Sequence, residues 1–182
     1  MAPSFVTIGH SDRDLDVLAR LLDEAGVDLV VDVRKLRGSR RYPRFNEDVL
    51  SHALPAAGIG YRPAPDLGGR RPRSTDIPED TNALWRNQSF HNYADYALSP
   101  PFRAALAELR QEAETRRVAV MCSEAVWWRC HRRIIADHLL AHGDDVHHIL
   151  GPGHTPSASL TPGAVVHPDQ SVTYPAAAPN RQ

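Results

Sequence analysis

The sequence has few cysteines, no long apolar run and almost no net charge, and each of these absences excludes a class of protein. Two cysteines in 182 residues cannot build the disulfide framework of a small secreted domain. No stretch approaches the ~20 apolar residues of a membrane-spanning helix, and the first residues lack the basic start and apolar core of a signal peptide. A net charge of −1 provides no overall basic field for nucleic acid. We therefore expect a cytoplasmic protein that does not enter a membrane.

The size and composition are typical of one globular domain, with 42% hydrophobic and 24% charged residues. Short apolar runs alternate with amphipathic helical stretches. This alternation predicts an α/β fold, a single three-layer domain with a mostly parallel sheet of about five strands flanked by helices. The domain is expected to span residues 1–165. Residues 166–182 are rich in Pro and Ala and are expected to form a mobile tail.

Five apolar runs are predicted as strands, and polar residues follow three of them. The runs are Phe5–Gly9, Val27–Val33, Ile59–Arg62, Val118–Met121 and Val146–Leu150. Helices are predicted from Ser11 to Gly26 with Ser11 as the cap, from Asn46 to Leu54 and from Pro101 to Glu114. A further helix contains Ile134 and Leu139 and is predicted to end at Gly143. The polar segment 63–82 is too long for a simple connection, which is typical of a functional loop.

The polar residues at the strand ends predict a site, because ligands of parallel sheets bind outside the carboxyl ends of the strands. The residues concerned are His10 and Ser11, Asp32 and Arg34, and Cys122 and Glu124. They are distant in the chain, so their convergence at one edge of the sheet would be a consequence of the fold.

Cys122 is the main candidate for chemistry at this edge. A thiol between a strand end and a helix start lies in the helix N-terminal field and near arginines, which lower its pKa. The layout resembles the anion cradles of rhodaneses and cysteine phosphatases, although Cys122 to Arg129 is one residue longer than the phosphatase spacing. A role in packing or as a metal ligand remains open for Cys122.

Three further residues are candidates for acid–base catalysis. Glu124 and Asp32 could act as general acid and base, could bind a ribose hydroxyl or a metal, or could form salt bridges with arginines. His10 could act as a base or donate to a phosphate, or could bond a neighbouring carbonyl.

An excess of arginine around these positions predicts an anionic partner, either a small molecule or nucleic acid. The planar guanidinium group matches phosphate and carboxylate, and helix starts near Ser11 and Cys130 would add N–H donors. The arginines are Arg34, Arg40, Arg41, Arg70, Arg71, Arg129 and Arg132.

Cys122, Cys130 and His131 form a second candidate constellation, a metal site. Thiolate and imidazole suit zinc or iron. The C-x7-C-H spacing is not that of a zinc finger, and the sequence has no second cysteine pair. Cys130 and His131 could instead stabilise the turn at a helix start.

Several motifs resemble those of one prokaryotic family, domain of unknown function 488. They are TIGHS at 7–11, VDVR at 31–34, SRRYPRF at 39–45, LGGRR at 67–71, FHNYA at 90–94 and MCSEAVWWRCHRRIIADHLL at 121–140. The resemblance extends to about residue 165. It implies a small α/β domain of cytosolic bacterial or archaeal proteins and implies no particular reaction.

Three functional hypotheses follow. The first is an enzyme that acts on a phosphorylated, nucleotide-like or nucleic-acid ligand, in which arginines hold the anion and Cys122 and Glu124 react. The second is a zinc- or iron-binding or redox module that uses Cys122, Cys130 and His131. The third is a nucleotide-binding regulator without catalysis.

Overall fold

The structure, a computed structural model, describes residues 2–177 and contains a central parallel sheet of five strands. The strands are β1 (Ser4–Gly9), β2 (Leu29–Asp32), β3 (Gly60–Pro63), β4 (Val118–Cys122) and β5 (Asp145–Ile149). Their order is β3-β2-β4-β1-β5, and each pairing is parallel. The predicted parallel α/β sheet is confirmed.

Helices cover both faces of the sheet. They are α1 (Leu15–Glu24), α2 (Glu47–Ala56), α3 (Gln88–Tyr96), α4 (Pro100–Glu112) and α5 (Arg132–Ala141). Leu18 of α1 and Leu50 of α2 belong to one apolar core, and residues of α3, α4 and α5 belong to the other. The predicted three-layer arrangement is therefore confirmed. Within residues 2–177, no helix combines the length and apolarity that a membrane crossing requires.

The alternation of side chains along β4 decides which core receives Cys122. Successive residues of a strand point to opposite faces of the sheet. Ala119 and Met121 pack with α1 and α2, whereas Val118, Val120 and Cys122 pack in the core that contains α3, α4 and α5. The Cys122 thiol therefore faces the start of α5.

Two features of the helices differ from expectation. Helix α3 was not predicted, because its apolar residues are too sparse for a clear stripe; its N-cap, Asn87, accepts a hydrogen bond from Ser89 N at 2.9 Å. The prediction that Ser11 caps α1 is wrong, because Asp14 is the N-cap residue. Ser11 instead turns the chain after β1 with a φ of 52°.

The chain continues beyond residue 165 as a short antiparallel hairpin. It consists of β6 (Val165–Val166) and β7 (Val172–Thr173). Val172 and Tyr174 are buried, and the Tyr174 hydroxyl donates to Asp137 Oδ2 at 2.7 Å. This part of the expected tail packs on the domain, whereas residues 178–182 lie outside the described residues. The mobility expected of the tail stays a prediction.

Candidate functional site

A cavity of about 250 Å³ opens at the carboxyl ends of β2 and β4. The loop between β4 and α5 contributes Cys122, Glu124, Arg129, Cys130 and His131 to its lining. The loop after β2 contributes Arg34, Lys35 and Leu36. The opposite wall contains Gly69, Arg70, Phe90 and Tyr93. The cavity thus occupies the edge of the sheet that the sequence indicated.

Two thiols lie in contact at the base of this cavity. The Sγ atoms of Cys122 and Cys130 are 2.7 Å apart, and both cysteines are free and buried. Cys122 ends β4, while the turn of 3₁₀ helix at Trp127–Arg129 returns the chain so that Cys130 precedes α5. Each sulfur also accepts a hydrogen bond from a nearby backbone N–H: Cys122 Sγ from Glu124 N and Cys130 Sγ from Arg132 N, both at 3.4 Å.

A buried guanidinium lies directly behind the Cys122 thiol. Arg132 is 1% exposed, and its Nη1 donates to Glu124 O at 2.6 Å and to Cys122 Sγ at 3.4 Å. Within the described residues, Arg132 forms no ion pair with a carboxylate, and its Nε has no hydrogen-bond partner. Because a buried cation requires a counter-charge, the thiolate of Cys122 is the natural anion for Arg132.

The environment separates the pKa values of the two thiols. A hydrogen bond from Cys130, together with the charge of Arg132, lowers the pKa of Cys122 to about 6, against the effect of burial. Burial and the neighbouring Cys122 raise the pKa of Cys130 well above its ordinary value. This environment favours the thiolate form of Cys122, with the thiol of Cys130 as its hydrogen-bond donor.

His131 presents a neutral imidazole to the thiol pair. Burial lowers the pKa of His131 to about 4. Its Nε2 lies 2.9 Å from Val33 O, which can only accept, so Nε2 carries the proton and Nδ1 has a free lone pair. Nδ1 is 3.6 Å from Cys130 Sγ. A Cβ on Gly69 would lie 2.9 Å from Nδ1, so the glycine allows the backbone to pass this close to the ring.

Asp32 and Arg34 form a closed network beside the cavity, which Arg34 also lines. Asp32 is fully buried and accepts from Arg34 Nε, from Arg34 Nη2 at 2.7 Å and from the Tyr61 hydroxyl at 2.6 Å. Arg34 also donates to Phe45 O at 2.8 Å and to His10 Nε2 at 3.2 Å. Burial lowers the pKa of His10 to about 4, which makes it a neutral acceptor. These groups satisfy one another.

The predicted catalytic residues therefore meet at one edge but do not share one cavity. Backbone bonds join the edge, because His10 N donates to Cys122 O at 2.9 Å and Val33 N donates to Met121 O at 2.9 Å. Cys122 and Glu124 line the cavity, whereas His10 and Asp32 lie in the closed network. The catalytic roles proposed for His10 and Asp32 stay predictions.

The predicted anion-binding residues also separate. Arg129 is exposed and lines the cavity, and Arg132 lies behind Cys122. Arg40 and Arg41 are exposed in the loop after β2 and do not line the cavity. Ser11 is not at a helix start; its hydroxyl donates to Asp12 Oδ1 at 3.2 Å. Arg129 thus has the most direct access to a ligand among these residues.

Several lining residues were missed as site residues. Lys35 gave no signal, because one lysine after a strand is unremarkable in sequence. Its Nζ donates to Arg70 O at 3.2 Å, across the mouth of the cavity. Phe90 and Tyr93 stood out only as aromatic residues; the unpredicted helix α3 places them in the wall. Asn87 was the available signal for that helix.

The cysteine and histidine cluster was also tested against the geometry of a metal site. The three donor atoms lie within 4.8 Å of one another, and their types suit zinc or iron. Two thiolates on one tetrahedral zinc, with bonds of ~2.3 Å, would be ~3.8 Å apart. The observed 2.7 Å is much shorter, and the Arg132 cation already contacts Cys122. The arrangement favours contact between sulfurs over a shared ion, and the metal role of Cys122, Cys130 and His131 stays a prediction.

Comparison with known proteins gave one match. No curated protein and no solved structure matches the chain. The family model described as "Domain of unknown function DUF488" matches residues 14–139, which is more than half of the chain and includes β2, β4 and all the residues that line the cavity. The chain therefore belongs to the DUF488 family.

Proposed function

We propose that this protein is a thiolate-dependent enzyme that acts on a small anionic ligand, with Cys122 as the nucleophile. The observation that carries the proposal is the contact between the Cys122 thiol and the buried guanidinium of Arg132, which has no carboxylate partner within the described residues. A structural cysteine needs no such cation. A nucleophilic thiolate does, because it must remain charged at neutral pH.

The cavity supports a small ligand rather than a polymer. Its volume of about 250 Å³ suits a ligand of modest size. Lys35, Arg70 and Arg129 supply positive charge at its mouth, and Glu124 is the one acidic residue in the lining. The net charge of the chain is −1, so an extended nucleic acid would meet no general attraction outside this mouth.

A reducing compartment is part of the proposal. Two free thiols in contact would oxidise to a disulfide in an oxidising environment, which would consume the nucleophile. We therefore place the working protein in the cytoplasm.

Alkylation by iodoacetamide as a function of pH tests the nucleophile. Cys122 should alkylate with a midpoint near pH 6, because its pKa is lowered to about 6. Arg132→Gln removes the charge and should raise that midpoint by about one unit. Arg40→Gln is the matched control, because Arg40 is an exposed arginine outside the cavity, and it should leave the midpoint unchanged. Peptide mapping identifies the alkylated cysteine.

Two results would overturn the proposal. One is a midpoint at ~8.5, the value of an ordinary thiol. The other is zinc or iron at one ion per chain that is lost in both Cys122→Ser and Cys130→Ser, which would favour a metal-binding module. A thermal-shift series with inorganic phosphate, nucleotides and carboxylates identifies which class of anion binds, because a bound ligand raises the melting temperature. Binding without reaction at a thiolate Cys122 would point to a regulator.

A further inference from the structure

We propose that Cys130 is a resolving thiol and that the substrate is a small disulfide bearing carboxylate groups, which the enzyme reduces by thiol–disulfide exchange. This inference rests on the proposed function, because it requires Cys122 as the nucleophile. It adds a second reacting residue, the class of substrate and the direction of electron flow. Three observations support it: the contact between the two sulfurs, the position of His131 and the charge at the mouth of the cavity.

The contact between the sulfurs limits the chemistry. If Cys122 carried a phosphoryl or acyl group, the electrophilic atom would be phosphorus or carbon, and attack by Cys130 would only move that group from one sulfur to the other. If Cys122 formed a disulfide with the substrate, Sγ itself would become electrophilic. Cys130 is the second of the chain's two cysteines. Its sulfur lies 2.7 Å from Cys122 Sγ and is already in place for that attack.

The first step balances as a simple exchange. The thiolate of Cys122 attacks one sulfur of the substrate disulfide and forms a mixed disulfide. The substrate S–S bond breaks, and the second half leaves with the electron pair as a thiolate that takes a proton from water. Arg132 loses its anionic partner in this step, since Cys122 Sγ becomes neutral.

That loss of charge prepares the second step. While Cys122 is a thiolate, it accepts a hydrogen bond from the Cys130 thiol and raises the pKa of Cys130. Once Cys122 is neutral, His131 Nδ1, at 3.6 Å, can accept the hydrogen bond of that thiol instead. The charge of Arg132, which lowers the pKa of Cys130, then has no competing anion. The first step therefore converts a protected thiol into a reactive one.

In the second step, the Cys130 thiol, oriented by a hydrogen bond to His131 Nδ1, gives up its proton and attacks Cys122 Sγ. A bond forms between the two cysteine sulfurs, the mixed disulfide breaks, and the first half of the substrate leaves as a thiolate, which recovers the proton. The substrate disulfide is reduced by two electrons, and the protein dithiol is oxidised to a disulfide. A dithiol reductant of the cell must return the protein disulfide to the dithiol before the next turnover.

The wall of the cavity selects the substrate. Lys35, Arg70 and Arg129 form no ion pair within residues 2–177, so their charges are available to carboxylates on a ligand. Phe90 and Leu36 provide apolar surface for the aliphatic part that carries the sulfur. A peroxide would also oxidise a thiolate, but it would require neither a cavity of about 250 Å³ nor three cations.

Intact-mass spectrometry with oxidised glutathione, an anionic disulfide, tests the two steps. Wild-type protein should gain one glutathione briefly and then settle as an internal disulfide, two hydrogens lighter than the dithiol. Cys130→Ser should retain the glutathione adduct on Cys122, and Cys122→Ser should gain none. Should Cys130→Ser fail to fold, rapid acid quenching of the wild type followed by peptide mapping gives the same answer, as transient adduct and linked Cys122–Cys130 peptides.

Cystamine, a disulfide with two amines, is the matched control for charge. It should react at least about tenfold more slowly than oxidised glutathione at low salt, and the difference should shrink in 1 M salt. Equal rates for both disulfides, or faster formation of the internal disulfide with hydrogen peroxide, would overturn the substrate class. A stable glutathione adduct in the wild type would overturn the resolving role, while a thiolate-like alkylation midpoint for Cys122 would leave the proposed function intact.

Discussion

The edge of the sheet contains two buried arginines in neighbouring positions, and their partners differ. Arg34, after β2, meets the carboxylate of Asp32 at 2.7 Å, and both side chains are almost inaccessible. Arg132, at the start of α5, meets the Cys122 thiol and a backbone carbonyl. The ion pair with Asp32 therefore supplies the first arginine with its counter-charge. A thiol becomes an anion only where something lowers its pKa.

The two pairs therefore differ in role: the first stabilises the fold, and the second belongs to the candidate site. The Asp32 and Arg34 pair is held by hydrogen bonds within the protein, to each other and to Tyr61, His10 and Phe45 O. The Arg132 and Cys122 pair is unsaturated: Arg132 Nε has no partner within the described residues, and Cys122 lines a cavity. A buried charge with an incomplete set of partners is costly, and such costs concentrate at functional sites.

Removing the carboxylate from the first pair should have the largest effect. Asp32→Asn leaves Arg34 as an uncompensated buried cation, and we expect the free energy of unfolding to fall by about 3–5 kcal/mol. Urea unfolding measures the change. Glu47→Gln is the matched control, because Glu47 pairs with Arg37 at 3.0 Å but its side chain is 44% exposed; its effect should stay below ~1 kcal/mol. Equal losses in the two variants would contradict the comparison.

The sequence predicted which edge of the sheet carries the candidate site, but it could not predict which residues at that edge line the cavity. The strand ends of β1, β2 and β4 follow from apolar runs, and the parallel order brings Gly9, Asp32 and Cys122 together. Which polar group faces the cavity depends on side-chain direction. Arg34 turns back two residues to Asp32, and nothing in the spacing distinguishes that pairing from an open anion site.

The cationic mouth was harder to predict, because it combines distant segments. Arg70 and Lys35 meet only when segment 63–82 folds over the end of β2, with Tyr93 donating to Leu67 O at 2.7 Å to fix it. The contact between Tyr93 and Leu67 depends on α3, and this helix was not predicted because its apolar periodicity is weak. Asn87 and the aromatic spacing of Phe90 and Tyr93 were the local signals available.

Acid should weaken both regions at the same time. The pKa values of His10 in the first region and His131 in the second are lowered to about 4, chiefly by burial, so unfolding takes up a proton at each residue between pH 6.5 and about 4. Stability due to the neutral rings is therefore present above pH 6.5 and is lost as the pH falls through this range. We expect each of the two histidines to lower the free energy of unfolding by about 2 kcal/mol over this pH range.

Urea unfolding at a series of pH values checks this prediction. His10→Gln and His131→Gln should each be less stable than wild type at pH 7 but should lose less stability between pH 6.5 and 4. His52→Gln serves as the control, since His52 is exposed on α2 and should leave the pH dependence unchanged. A wild-type stability that stays constant from pH 6.5 to 4 would contradict the neutral state of both rings.

The smallest expected effect concerns Gly69, which touches only the second region. A Cβ at this position would lie 2.9 Å from His131 Nδ1, so Gly69→Ala must displace the ring and strain its bond to Val33 O. We expect a loss of about 1–2 kcal/mol in the free energy of unfolding. Resolution of the glutathione adduct should slow as well, because Nδ1 would move relative to Cys130. Gly151→Ala is the control, since a Cβ there meets nothing within 4 Å. If Gly69→Ala slowed formation of the adduct and not its resolution, the glycine would act on Cys122 and His131 would lose its assigned part in the second step.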